Sequence, residues 1–279
     1  MITFDSHVHT SFSFDGDPSA SPDAVLHSAI QKGITHLAIT DHLELNAIAE
    51  NLPDMDYDAS SAQKAILHLK EAGDLPLRLS FGIEMGQINQ YPHLAEEYIR
   101  QYSYETILGS LHSLKGKPDF YFWDMAHISQ EEFQEAWLNY LSEILEILEI
   151  GGFDVLTHLT YPLRYFCASG RSLDLSFDRN LLEKVLARVI DQKILLEVNS
   201  SGFRQGMNCP LPDDRVLRLY HDMGGELLSI GSDAHQSKDI AGDFSALEKY
   251  LLDLSFTEIH FKQNGVLFTE NISTKETIL

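Results

Sequence analysis

Six apolar, strand-like runs in this chain end in side chains that bind metals. They are Phe4-Asp5-Ser6-His7-Val8-His9, Leu37-Ala38-Ile39-Thr40-Asp41-His42, Phe81-Gly82-Ile83-Glu84, Leu108-Gly109-Ser110-Leu111-His112, Val155-Leu156-Thr157-His158 and Ile230-Gly231-Ser232-Asp233-Ala234-His235. His7 and His9 stand two apart, so on an extended strand they share one face. Asp233 and His235 repeat that spacing near the other end of the chain. Glu84 follows a buried run, where an unpaired charge is expensive and a metal supplies the partner. Asp15 follows His9 by six residues in the loop Ser13-Phe14-Asp15-Gly16, close enough to fold back to the same place. Asp41 could orient the His42 ring from behind, although adjacent strand residues point to opposite faces.

Any one of these side chains is an ordinary rim residue. Six of thirteen histidines at successive strand ends is not scattered placement. His36, by contrast, opens a strand instead of ending one. The candidate ligands are His7, His9, Asp15, His42, Glu84, His112, His158, Asp233 and His235. A hydrolytic ion takes roughly four to six ligands, some of them water. This set therefore suits two or three divalent ions. Imidazole with carboxylate and no thiolate suits zinc, iron or manganese. The chemistry expected is that of a multinuclear metal hydrolase.

Such ligands converge only if the strands are parallel, because parallel strands bring their C-terminal ends to one face. Strand candidates lie at 2–7, 36–41, 78–84, 105–111, 153–158, 194–199 and 227–232. Helical patterns separate them at 22–32, 60–72, 129–150, 176–192, 213–223 and 239–252. Ser129 with Glu132 is a capping box, and Gly151-Gly152 ends the same helix. Asn264-Gly265 marks a hairpin between 259 and 269. Alternating strands and helices predict an α/β fold, a distorted (β/α)7 TIM-like barrel, with residues 1–279 as a single domain. The segment from Ser113 to His127 fits no period and carries Phe120, Tyr121, Phe122 and Trp123 in a row, which suits a lid or pocket wall.

Composition narrows the function. The chain has 20 basic and 42 acidic residues, a net charge of −22, which argues against a nucleic-acid partner. Bound divalent ions would reverse the sign locally, so an anionic small-molecule substrate stays open. The sequence has no signal-peptide pattern and no apolar stretch near the roughly 18 residues of a membrane span. A cytoplasmic protein without a membrane partner is expected. Cys167 and Cys209 have no metal-ligand spacing and are expected as free thiols. Oligomeric state has no signature in the chain.

The runs DSHVHTSFSFDG from residue 5, ITDH from 39, GIEMG from 82, GSLHS from 109, THL from 157, EVNSSG from 197 and GSDAH from 231 together resemble the polymerase and histidinol phosphatase superfamily, the PHP domains. The resemblance implies a trinuclear cluster at the C-terminal mouth of the barrel. One ion would take His7, His9, Glu84 and Asp233. A second would share Glu84 and take His112 and His158, and a third would take Asp15, His42 and His235. Within the superfamily the chain is most similar to the stand-alone histidinol-phosphate phosphatases, given its length and its Thr160–Arg164 run. That similarity implies hydrolysis of the phosphomonoester L-histidinol phosphate by a metal-bridging hydroxide.

On this reading Asp233 orients the nucleophile and shuttles its proton, while His235 or Asp15 protonates the leaving alkoxide. Arg164 and Arg204, both expected in loops at the catalytic face, would grip the phosphate. Glu197 would hold the substrate amine, or serve as a structural carboxylate, and the Phe120–Trp123 aromatics, Trp123 first among them, would stack on its ring. The competing readings are a phosphoesterase for nucleotides, sugar phosphates or phosphotyrosine, an amidohydrolase-type deaminase, and a metal-stabilised binding module. The deaminase often needs a strand-end lysine, but between residues 151 and 235 the lysines are Lys184 and Lys193, on or just after a helix. A binding module would be expected to lose ligands, and all nine are present.

Overall fold

A computed structural model describes residues 1–52, 55–171 and 178–272. Eight parallel strands form the main sheet: β1 (Phe4–Val8), β2 (His36–Ile39), β3 (His42–Glu44), β4 (Arg78–Gly86), β5 (Thr106–Ser110), β6 (Val155–Leu156), β7 (Leu195–Asn199) and β8 (Leu228–Gly231). The order is β1-β2-β4-β5-β6-β7-β8, with the short β3 pairing with the C-terminal half of β4. The sheet curls nearly shut. Asp233 N–H donates to His7 O at 2.8 Å and His9 N–H to Ala234 O at 2.9 Å, which joins the end of β8 to the end of β1. This is the distorted barrel expected from the alternating pattern, with β3 as an addition that lies just beyond the strand expected at 36–41.

Helices cover the outside: α1 (Pro22–Gln31), α2 (Leu45–Glu50), α3 (Ala59–Glu71), α4 (Pro92–Gln101), α5 (Gln130–Ile150), α6 (Tyr161–Ala168), α7 (Arg179–Gln192), α8 (Ser201–Arg204), α9 (Asp214–Asp222) and α10 (Phe244–Asp253). The predicted start of the fourth long helix at 176 falls outside the described residues; its remainder is α7. α5 shows why these helices form and stay. The Ser129 side chain accepts from Glu132 N–H at 3.1 Å and the Glu132 carboxylate accepts from Ser129 N–H at 2.9 Å, which closes the capping box. Gly151, at φ 68°, ends the helix. Between them Phe133, Trp137, Leu141, Ile144 and Leu148 are buried against the barrel, each worth about 1.5–3 kcal/mol of burial.

The hairpin of β9 (Glu258–Gln263) and β10 (Val266–Asn271) closes the N-terminal end of the barrel. Asn264 and Gly265 both have positive φ, the requirement of its two-residue turn. Phe261 packs on Phe4 at 5.0 Å and on His36 at 3.9 Å between ring centres. The floor is therefore shut, and the opposite end is left for chemistry.

Candidate metal centre

All nine candidate ligands meet at the C-terminal mouth. The β1 strand alternation turns His7 and His9 to the same side, and their Nε2 atoms lie 3.0 Å apart. Glu84, at the end of β4, sits centrally. Its Oε2 is 3.1 Å from His7 Nε2, 3.4 Å from His9 Nε2 and 3.0 Å from His42 Nδ1. Its Oε1 is 2.9 Å from His158 Nε2 and 3.2 Å from His112 Nε2. Asp233 Oδ1 lies 3.4 Å from His9 Nε2 and 3.6 Å from His235 Nδ1. Asp15 Oδ2 stands 3.1 Å from His235 Nε2 and 3.7 Å from His42 Nε2. Donor atoms of His7, His9 and Asp233, of His9, His42 and His235, and of Glu84, His42 and His112 form groups each within 4.8 Å.

A ring of outer carboxylates fixes which nitrogen faces inward. His7 Nδ1 donates to Glu197 Oε1 at 2.6 Å and His112 Nδ1 to Glu44 Oε1 at 2.7 Å. Each bond commits the proton to Nδ1 and leaves an Nε2 lone pair aimed at the centre. His9 is set through Ser13, whose Oγ lies 3.0 Å from Nδ1 and donates to Asp41 at 3.1 Å. Glycines make room for two of these outer carboxylates. A Cβ at Gly231 would collide with the Glu197 carboxylate and the His7 side chain, and one at Gly86 with the Glu44 carboxylate.

The electrostatics follow from this packing. Burial raises the Glu84 carboxyl, but His7, His42 and His112 outweigh it and hold the group well below the usual carboxylate range. Burial likewise lowers His7, yet Glu197 and Glu84 prevail and raise it well above an ordinary imidazole. His9 goes the other way, to about 3, because burial is joined by the neighbouring His235 and His42 rings. Burial also opposes charge on Asp233, but hydrogen bonding from His9 and the charges of His7, His235 and Arg164 hold it well below the usual range.

The donor set fits divalent ions. The inward Nε2 atoms of His7 and His9 face each other at 3.0 Å, and those of His112 and His158 at 3.4 Å. Positive charge must sit among these nitrogens, as a proton or as an ion, and the groups of three donors within 4.8 Å give an ion a place to bind. All nine ligands offer nitrogen or oxygen, the donors of borderline and hard divalent metals.

Above the cluster a cleft of about 500 Å³ opens to solvent, lined by Asp15, Tyr121, Arg164, Tyr165, Arg204 and Asp233 among others. Arg164 and Arg204 do reach this face, but from short helices, α6 and α8, and not from loops. Arg164 Nη2 donates to Asp233 Oδ2 at 3.2 Å and to Ser201 Oγ at 3.1 Å. Arg204 Nη2 donates to the Ser232 carbonyl and, at 2.9 Å, to the Asp233 carbonyl. Arg164 Nε and Arg204 Nη1 have no partner among the described residues.

Three expectations are corrected. Glu197 does not face the cleft: it is buried behind the cluster, bonded to His7 Nδ1 and accepting from His158 N–H at 2.7 Å. The strand pleat gives it the structural alternative. Trp123 turns away from the mouth; its indole N–H donates to Pro118 O at 3.0 Å and its ring lines a different cavity beside α5. Asp41 orients Thr10 and Ser13, accepting from Thr10 N–H at 2.6 Å, while the carboxylates beside His42 Nδ1 are Glu84, at 3.0 Å, and Glu44, at 3.3 Å. Of the four aromatics expected to form a pocket wall, Tyr121 is the one that lines the cleft, while Glu44, Asn199, Ser201 and Tyr165 had no role at the site in the sequence reading. Glu44 carried a signal, since it stands two residues after His42 at the spacing that paired His7 with His9.

Comparison with known proteins agrees with the architecture. The chain is 29% identical over 255 residues to a probable histidinol-phosphatase of Thermotoga maritima, covering 90% of this chain and 92% of that one. It is 22% identical to the histidinol-phosphatase of Lactococcus lactis, covering 85% and 86%. The crystal structure of the Lactococcus lactis histidinol phosphate phosphatase, complexed with zinc, L-histidinol and phosphate, superposes with a TM-score of 0.76 at 18% identity, over 95% of this chain and 98% of that one. The putative histidinol phosphatase of Listeria monocytogenes gives 0.74 at 20% identity, over 87% and 99%. The model of the PHP domain matches residues 5–201, from the first ligand-bearing strand through the Asn199–Ser201 run, and the chain belongs to that family.

Proposed function

We propose that this protein is a metal-dependent phosphomonoesterase that hydrolyses L-histidinol phosphate to L-histidinol and phosphate, with the whole chain acting as one domain. The observation that carries the phosphatase reading is the pair of guanidinium groups, Arg164 and Arg204, that line the cleft beside the nine-ligand cluster. Planar donors next to a cation site suit a phosphate dianion. The substrate is taken from relatives that match nearly the full chain and are named histidinol-phosphatases.

The ligand set would hold two or three divalent ions. Zinc is the ion in the Lactococcus lactis structure, and iron and manganese suit the same donors. Bound ions acidify coordinated water and neutralise charge that builds on the phosphate oxygens. The chain's own residues do the rest. Asn199 Nδ2 at 3.3 Å, Arg164 at 3.2 Å and the Ser201 hydroxyl at 3.4 Å all donate to Asp233 Oδ2. This carboxylate is also held in left-handed backbone at φ 53°, a conformation that costs energy and fixes its aim. An anion so well satisfied is a poor proton store, so orienting is its role and proton transfer falls elsewhere. Asp15 and His235 keep 41% and 29% of their side chains exposed, the most open of the set, and are bonded to each other. That pair is placed to pass a proton to the leaving alkoxide. Tyr121 and Tyr165 line the same cleft and supply apolar faces for the imidazole ring.

The test is phosphate release from L-histidinol phosphate beside nucleotides, sugar phosphates and phosphotyrosine, with metal content assayed. A strong preference for histidinol phosphate is expected. A flat profile with full metal would keep the phosphatase and discard the substrate.

A further inference from the structure

One loop gathers the outer part of the cluster. Asp15, His42 and His235 stand on three separate segments, yet the loop 10–17 joins all of them. Asp15 lies on it. Asp17 N–H donates to the His235 carbonyl at 3.0 Å. Ser13 reaches the start of β3, where its Oγ accepts from His42 N–H at 3.0 Å. The loop is wound tightly. Ser13 N–H donates to the Thr10 carbonyl and Gly16 N–H to the Ser13 carbonyl, both at 3.0 Å, and a Cβ at Gly16 would collide with the Thr10 oxygen.

The Ser13 hydroxyl is buried and fully used. A serine hydroxyl has one hydrogen and two lone pairs. The buried Asp41 carboxylate takes the hydrogen at 3.1 Å, beside the Thr10 N–H that it accepts at 2.6 Å. His42 N–H occupies one lone pair. The remaining contact, with His9 Nδ1 at 3.0 Å, then runs from Nδ1–H to the second lone pair. A hydrogen turned to His9 instead would leave Ser13 Oγ and Asp41 Oδ1 as two facing acceptors in a dry place, which is costly. The His9 proton therefore sits on Nδ1, and the bare Nε2 faces His7 Nε2 in the cluster.

Stacking carries the effect further. The His9 ring lies between those of His42 and His235, at 4.3 Å and 4.1 Å between centres, with interplanar angles of 25° and 21°. A turn of His9 would displace both neighbours. His7 and His112 have carboxylates at their outer nitrogens. His9 has the Ser13 hydroxyl there and no other partner among the described residues.

We propose that Ser13 is a positioning residue for a divalent ion at Asp15, His42 and His235. Its one hydroxyl sets the His9 tautomer, the three-ring stack and the loop that carries Asp15. This role rests on the reading of the cluster as a metal centre and not on the choice of substrate.

The experiment is diffraction at the zinc edge from crystals of zinc-loaded wild-type protein and Ser13→Ala, over a series of buffered free-zinc levels, with total zinc counted by elemental analysis. Zinc beside Asp15 should bind about 10–100-fold more weakly in the variant, the range for loss of a ligand's outer hydrogen-bond partner. Zinc beside Glu84, His112 and His158 should stay as in the wild type. Ser13→Thr keeps the hydroxyl and should restore the lost zinc. Equal zinc beside Asp15 in wild type and Ser13→Ala would overturn the proposal. So would parallel loss at every position, or no recovery in Ser13→Thr. Wild-type protein that binds no zinc would overturn the metal-centre reading as well. A measurement on the wild type covers the case of a variant that does not fold. Nitrogen NMR of the zinc-loaded protein should show the His9 proton on Nδ1, and a proton on Nε2 would overturn the role given to Ser13.

Discussion

The two ends of the barrel each bury a histidine and treat it in opposite ways. At the floor, His36 begins β2, bonds Ser80 Oγ through Nε2 at 2.8 Å and stacks on Phe261. Burial and nearby Arg78 depress it to about 4, and it stays neutral. At the mouth, His7 ends β1 and is buried as deeply. Two carboxylates, Glu197 and Glu84, overcome the same burial and make His7 strongly basic. Burial of a histidine therefore says nothing about a site. What distinguishes the mouth is carboxylate on both sides of the ring, one to set the tautomer and one to share the central charge.

The largest effect that separates the two ends should come from Glu84. Glu84→Ala removes the carboxylate that contacts five imidazoles. A loss in kcat/KM on the order of a thousandfold or more is expected, with loss of bound metal. Elemental analysis of the purified variant and steady-state kinetics check it; wild-type metal content would dismantle the central role given to Glu84. Arg164→Ala should come next, with kcat/KM reduced about a hundredfold and metal content unchanged, because it touches Asp233 and the cleft but no proposed inner ligand nitrogen. Unaltered kinetics would remove it from phosphate binding.

A smaller effect sharpens the geography of the mouth itself. Tyr121→Ala should raise KM for histidinol phosphate by about tenfold and leave a ringless phosphate ester nearly unaffected. Trp123→Ala should change neither, since its ring faces α5. The reverse result would mean that the 3-10 turn Phe120–Phe122 rearranges when substrate binds.

The same contrast explains what the chain reveals before it folds. The barrel is legible because each strand is an apolar run and each helix carries its own start and stop, as Ser129, Glu132 and Gly151 do for α5. The inner ligands are legible because strand ends share a face. The outer ring is harder. A carboxylate such as Glu197 on a buried strand looks the same whether it faces an ion, a substrate or the far nitrogen of an imidazole, and only the pleat decides. Arg164 and Arg204 were expected in loops because α6 and α8, eight and four residues long, are too short to show a helical period. Trp123 and Tyr121 are neighbours in an aperiodic segment, so nothing local tells which ring meets the substrate.

The floor offers the last test, and it is one of stability and not of activity. In the unfolded chain His36 takes up a proton as pH falls below about 6.5, whereas in the folded protein it stays neutral until about 4. Between those values the unfolded state binds more protons, so stability is lost as pH falls. The loss attributable to this one group is about 3 kcal/mol across the window. His36→Phe keeps an aromatic ring against Phe261 and removes the titration. The variant loses the Ser80 hydrogen bond at every pH, so its absolute Tm is not the readout. The measurement is the slope of Tm against pH from 7 to 4 in both proteins, with activity followed at neutral pH. A shallower slope and near-normal kcat/KM are expected for the variant. Parallel slopes would show that His36 is protonated in the fold, and the electrostatic distinction between the floor and the mouth would then fail at its neutral end.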